Sequence, residues 1–151
     1  MTIMASNRTG LNIPPSRMKP HVLWTGNGDM CSKSAGALTA LNQDFGIPLT
    51  FIDVLNEDQV RQKPINGSPF FNVTLPKSRV LLHKHLARHP ASHIFIANLP
   101  PQHIMTAFLL AEQCPNARVV IAKPLDVNFQ LIETIASGIV WPGITDRLFV
   151  H

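Results

Sequence analysis

Tyrosine is absent from this 151-residue chain, Asp and Glu total only nine against thirteen Lys and Arg, and cysteine occurs twice. Each shortage excludes something. Cys31 and Cys114 fit no zinc-ligand spacing and are too few for a disulfide framework, so a reducing compartment is expected. No stretch reaches the ~18 apolar residues that a membrane span needs, and the proline-punctuated start lacks the apolar core of a secretory leader. A cytoplasmic chain with no membrane partner is the expectation. Aromatic residues make up 7% of the chain, and its cations are scattered rather than forming a stripe interleaved with aromatics, which speaks against a nucleic-acid partner. What the chain does have is apolar material: 45% hydrophobic and 15% charged residues suffice for one globular domain with a core. The formal charge of +4 is modest and permits attraction to phosphorylated ligands. Residues 1–20 read as a flexible N-terminal arm, and residues 21–151 as the domain.

The stretch His21-Val-Leu-Trp-Thr-Gly-Asn-Gly-Asp-Met30 runs from an apolar strand through a glycine turn into a helix start. A helix N-terminus presents unpaired N–H groups and a partial positive charge, and glycines let that backbone approach a phosphate. Gly26 and Gly28 supply the bare backbone. The spacing falls short of the full G-x-G-x-x-G fingerprint, because Cys31 stands three residues after Gly28. An ordinary strand-to-helix turn that binds nothing is the alternative.

The rest of the chain alternates strand-like and helix-period segments, the pattern of an α/β fold with a mostly parallel sheet and helices on both faces. Met30, Ala37, Leu38 and Leu41 recur at helical spacing up to Phe45-Gly46, and Leu49–Leu55 reads as the second strand. Ile94–Ala97 and Val119–Ala122 are continuous apolar runs suited to strands buried on both faces. Helical faces follow at Ile104, Met105, Phe108 and Ala111, and at Val127, Leu131, Ile132 and Ile135. Arg147–Val150 reads as a last strand. Between Asn56 and Arg88, Pro64, Asn66-Gly67 and Pro69 predict loop, followed by a helix over Ser78–Ala87.

Asp53 ends the second strand, 25 residues after Gly28, near the ~20-residue offset at which an acid binds the ribose hydroxyls of NAD and repels a 2′-phosphate. The alternative is a carboxylate that merely caps a turn. Arg61 and Lys63 follow closely enough to fold back toward a 2′-phosphate. Lys123 stands at the carboxyl end of an apolar strand, where open α/β sheets place their ligands. His83, His85, His89, His93 and His103 are dense, yet without a nearby acid or thiolate they read as a solvated basic helix, and no metal site is expected. Cys31 reads as a small buried residue, and Trp24 and Trp141 as packing.

The run Ile94-Phe-Ile-Ala-Asn-Leu-Pro-Pro-Gln-His103, a helix, and then Val119-Val-Ile-Ala-Lys-Pro-Leu-Asp126 resembles the approach to the Glu-Lys-Pro motif of the glucose-fructose oxidoreductase (Gfo/Idh/MocA) family and of the related glucose-6-phosphate dehydrogenase family. Thr25–Met30 and Lys33–Leu38 partly match the latter's Gly-x-x-Gly-Asp-Leu and Lys-x-x-Pro-Ala-Leu. The resemblance implies an N-terminal Rossmann domain that binds NAD or NADP, with Asp53 favouring NAD, in an oxidoreductase acting on a sugar or sugar phosphate. Gly26, Asn27, Gly28, Asp29 and Met30 would form the pyrophosphate turn. Leu99, Pro100 and Pro101 would lie along the nicotinamide half, and Lys123 would be the catalytic motif lysine. Ala122 replaces the family's glutamate, and the substrate domain that follows in the family is absent from this sequence, so cofactor binding without turnover is expected of the chain alone. Two alternatives stand beside this. One is a non-enzymatic interaction or regulatory module, homo-oligomeric through a sheet edge; the other is an S-adenosylmethionine-binding domain.

Overall fold

The computed structural model describes residues 19–97, 106, 109–121 and 148–150. Its six strands are β1 (Val22–Thr25), β2 (Leu49–Asp53), β3 (Phe70–Asn72), β4 (His93–Ile96), β5 (Arg118–Ile121) and β6 (Leu148–Val150). All pair in parallel, in the spatial order β3-β2-β1-β4-β5-β6. That is the doubly wound order of a Rossmann-like α/β fold, with its direction of winding reversed between β1 and β4.

Side-chain alternation along the strands explains why both faces are covered. Leu23, Ile52, Ile94, Ile96, Val119 and Ile121 point to one face. There they pack with Leu82 and Leu86 of α2 (Pro76–Arg88) and with Leu110, Ala111 and Cys114; residues 109–113 are helical. Val22, Trp24, Leu49 and Phe51 point to the other face, where Cys31 and Leu38 of α1 (Asp29–Gln43) meet them. Of the expected apolar face of α1, Leu38 and Leu41 pack inward, but Met30 is 40% exposed and the fully buried Cys31 takes the inward position beside it.

The segment expected to be loop contains β3, a correction to the sequence reading. β3 is three residues long and follows Pro69 and a 3-10 turn at Ile65–Gly67. In that turn Asn66 and Gly67 have φ of 52° and 69°. Pro69 cannot donate to a ladder, yet its carbonyl accepts from Phe51 N–H at 2.8 Å, so proline sits at the mouth of an edge strand without breaking it. α2 begins with Pro76 at its first position, where the missing N–H costs nothing. It extends two residues earlier than expected. The stretches holding Leu99, Pro100, Pro101, Ile104, Met105, Phe108 and Lys123, and the face from Val127 to Ile135, lie outside the described residues.

Candidate functional site

β1 leaves the sheet at Thr25, and three residues turn the chain into α1. Gly26 has φ 90°, a conformation strained for any residue with a Cβ. Its N–H donates to Ile52 O at 2.9 Å, and its carbonyl accepts from Trp24 Nε1–H at 3.0 Å. The Trp24 ring is itself stacked on Phe95, centroids 5.5 Å apart. Trp24 is packing, as expected, but it is also the brace of the turn.

Asn27 is 1% exposed, and all its polar groups have partners inside the protein. Its N–H donates to Asp53 Oδ2 at 2.6 Å and its Nδ2 to Ile52 O at 2.9 Å. Its carbonyl accepts from Gln62 N–H at 3.0 Å, and its Oδ1 from the Cys31 thiol at 3.7 Å. Asn27 shapes the turn from within.

Gly28 differs. A Cβ added there would meet nothing within 4 Å, so the space above it is open. It is the N-cap of α1, and no side chain caps the helix. The first amide to find a helical acceptor is that of Ser32, on Gly28 O at 3.0 Å. The preceding N–H groups are the donors that every helix start leaves over, at the positive end of its dipole. Gly28, Asp29 and Met30 carry them at the surface.

The charges around this opening come from two segments, α1 and the loop after β2. Asp29 Oδ2 is 3.0 Å from Lys33 Nζ, and Asp29 Oδ1 is 2.9 Å from Arg61. The hydrogen bond and charge of Lys33, and secondarily Arg61, hold the Asp29 carboxyl below the usual carboxylate range. Lys63 donates to the carbonyl of Glu57. The loop after β2 therefore folds back over the turn, with Gln62 N–H on Asn27 O, and brings Arg61 to the start of α1.

Asp53 does lie beside the turn, but its oxygens face protein amides. Oδ2 takes Asn27 N–H, while Oδ1 accepts from Val54 N–H at 2.7 Å and Leu55 N–H at 3.1 Å. Burial, with the Asp53 charge adding to it, pushes the Cys31 thiol up to about 12; despite its place in the first turn of a helix, Cys31 is a thiol at neutral pH and no nucleophile.

Gly26, Asn27, Gly28, Asp29, Met30 and Asp53 are thus brought together at the carboxyl end of β1, next to the switch between β1 and β4. The bracing by Trp24 and Gln62 went unforeseen. An indole two residues before a turn glycine was the available signal for the first; the second depends on a loop path that no motif encodes.

One histidine corrects the expectation of a solvated basic helix. His83 and His89 are exposed, but His85 is half-buried: its Nε2 is 2.9 Å from the buried Thr50 Oγ1, and Phe71 lies against its ring. Among the described residues no group of three or more His, Cys, Asp or Glu could hold a metal ion, and no helix is long and apolar enough to cross a membrane.

An open, all-parallel, doubly wound sheet with an uncapped first βα turn defines a Rossmann-like α/β domain. The chain matches no protein-family model, no curated protein and no solved structure.

Proposed function

We propose that the domain binds a nicotinamide dinucleotide, with the pyrophosphate on the exposed N–H groups of Gly28, Asp29 and Met30, as part of an oxidoreductase acting on the CH–OH group of a sugar or sugar phosphate. The observation that carries this reading is the uncapped start of α1 at the topological switch point, entered through a positive-φ glycine and with open space above Gly28. Open α/β sheets bind ligands in that crevice, outside the carboxyl ends of their strands. A bound nicotinamide would accept a hydride from the alcohol carbon. This chain's part is to hold the pyrophosphate by backbone amides and, following the sequence resemblance, to set Lys123, two residues beyond β5, beside the reacting groups.

The Asp53 geometry shifts the choice of cofactor. A carboxylate that selects NAD needs acceptors free for the ribose hydroxyls, and those of Asp53 already serve Asn27, Val54 and Leu55. Arg61 stands at the start of α1, where among the described residues it pairs with an exposed acid, and can turn to a 2′-phosphate. NADP is therefore the favoured dinucleotide.

Thermal unfolding of the full chain with NAD, NADH, NADP, NADPH or S-adenosylmethionine tests this. A ligand that binds only the folded state adds ~2.7 kcal/mol at a hundredfold excess over its dissociation constant. A selective rise in Tm with NADP or NADPH is expected. A rise with S-adenosylmethionine alone, or with none of the five, would contradict the reading.

A further inference from the structure

At the opposite edge of the sheet, where the strands begin, four segments meet in a buried polar chain that the dinucleotide reading does not use. His21, 5% exposed, directly precedes β1, and Thr50, 1% exposed, lies in β2. His21 Nε2 is 2.8 Å from Thr50 Oγ1, and the same hydroxyl is 2.9 Å from His85 Nε2 on α2. His21 Nδ1 is 2.9 Å from the carbonyl of His89, at the end of α2. Ser92 closes the group: its Oγ accepts from His21 N–H at 2.9 Å and lies 2.9 Å from His93 Nδ1, at the start of β4.

Proton bookkeeping gives this chain one neutral solution. The His89 carbonyl can only accept, so His21 Nδ1 must carry a hydrogen and, in the neutral ring, Nε2 must accept. The single Thr50 hydroxyl hydrogen then goes to His21. His85 must therefore donate from Nε2 to the hydroxyl oxygen. If His21 gains a proton, its Nε2 becomes a donor, and the Thr50 hydrogen must turn to His85, whose Nε2 already carries a hydrogen and offers no acceptor unless the ring changes tautomer. With both rings charged, two donors converge on one buried hydroxyl whose own hydrogen has lost its acceptor.

We propose that the His21–Thr50–His85 chain is a pH-sensitive lock that fastens the C-terminal end of α2 to the sheet, closed when the imidazoles are neutral and opened when His21 is protonated. The groups acting on His21, His85 and His93 support the direction. His21 and His89 act on His85, His89 acts on His21, and Arg118 of β5 acts on His93. These groups are cationic when protonated, and none is a carboxylate; the carbonyls of His89 and Pro90, which accept from His21 Nδ1, act the other way and are outweighed by burial. Burial, first among the causes, lowers the pKa of all three histidines below 6.5. The unfolded chain therefore binds more protons near that pH. The stabilisation is complete above 6.5 and is lost as the pH falls through 6.5 toward the lowered folded values.

Two measurements on the full chain decide the matter. Imidazole ¹⁵N spectra at about pH 7.5, above the range in which histidine ordinarily titrates, should show neutral His21 with hydrogen on Nδ1 and neutral His85 with hydrogen on Nε2. A charged His21, or hydrogen on its Nε2, would overturn the lock. Amide exchange, corrected for its intrinsic pH dependence, should then show protection across Leu82–Arg88 falling at least tenfold more than protection across α1 as the pH drops to about 5.5, below the ordinary imidazole value. In the His21→Gln variant, which cannot titrate there, that extra loss should vanish. An equal loss in both helices, or an unchanged pH response in the variant, would overturn the proposal.

Discussion

The two edges of the sheet are built on opposite rules. Where the strands end, the Gly26–Gly28 turn is braced from below by Trp24, Asn27 and Asp53, yet among the described residues the amides above it have no partner and no side chain caps α1. Where they begin, a serine, a threonine and three histidines form hydrogen bonds with one another or with neighbouring carbonyls. A buried polar group costs about 1–3 kcal/mol when left unpaired, so the closed edge holds the fold. Unpaired donors persist only where water, or a ligand, can reach them. The contrast points to the strand-end edge as the binding edge, and substitutions on each side can break or sharpen it.

The largest effect is expected from Thr50→Val at the closed edge. It removes the hydroxyl on which two imidazoles depend, and urea unfolding at neutral pH should show a loss of about 2–3 kcal/mol. A loss below ~0.5 kcal/mol, the range of ordinary surface substitutions, would mean that the hydroxyl bridges nothing. Asp53→Ala comes next, at about 1–2 kcal/mol, because Asn27 N–H loses its acceptor while Val54 and Leu55 can turn to water. If stability were unchanged and only the preference between NAD and NADP moved, the carboxylate would face the ligand rather than the turn. Trp24→Phe keeps a ring on Phe95 but loses the bond to Gly26 O, which is worth about 1 kcal/mol in the same assay. Gly28→Ala should sit at the bottom of the series. Its Cβ enters open space, so stability should change by less than ~0.5 kcal/mol, whereas dinucleotide affinity measured by calorimetry should fall at least tenfold. Equal affinity would show that no ligand approaches that backbone.

The sequence carried the apolar strands well. Five of the six were legible as short hydrophobic runs, and Leu38 and Leu41 marked the inward side of α1. β3 was not legible, because three residues behind Pro69 carry no periodicity and become a strand only by pairing with β2. At the binding edge, the Gly26-Asn27-Gly28 turn and the nearness of Asp53 could be read from spacing alone. Which way the Asp53 oxygens point could not, since the deciding partner, Asn27, lies on another strand's exit. The histidine chain was hidden for the same reason. Thr50 is 29 residues from His21 and 35 from His85, and only the parallel pairing of β1 with β2, under α2, brings the three side chains together.

The most direct test is residue-resolved. Backbone amide NMR spectra of the full chain, titrated with NADPH, should show the largest shifts at Gly28, Asp29 and Met30, with Arg61 following and His21 and Ser92 unmoved. Shifts that cluster at the histidine edge, or none at the start of α1, would contradict the assignment of that turn as the pyrophosphate site.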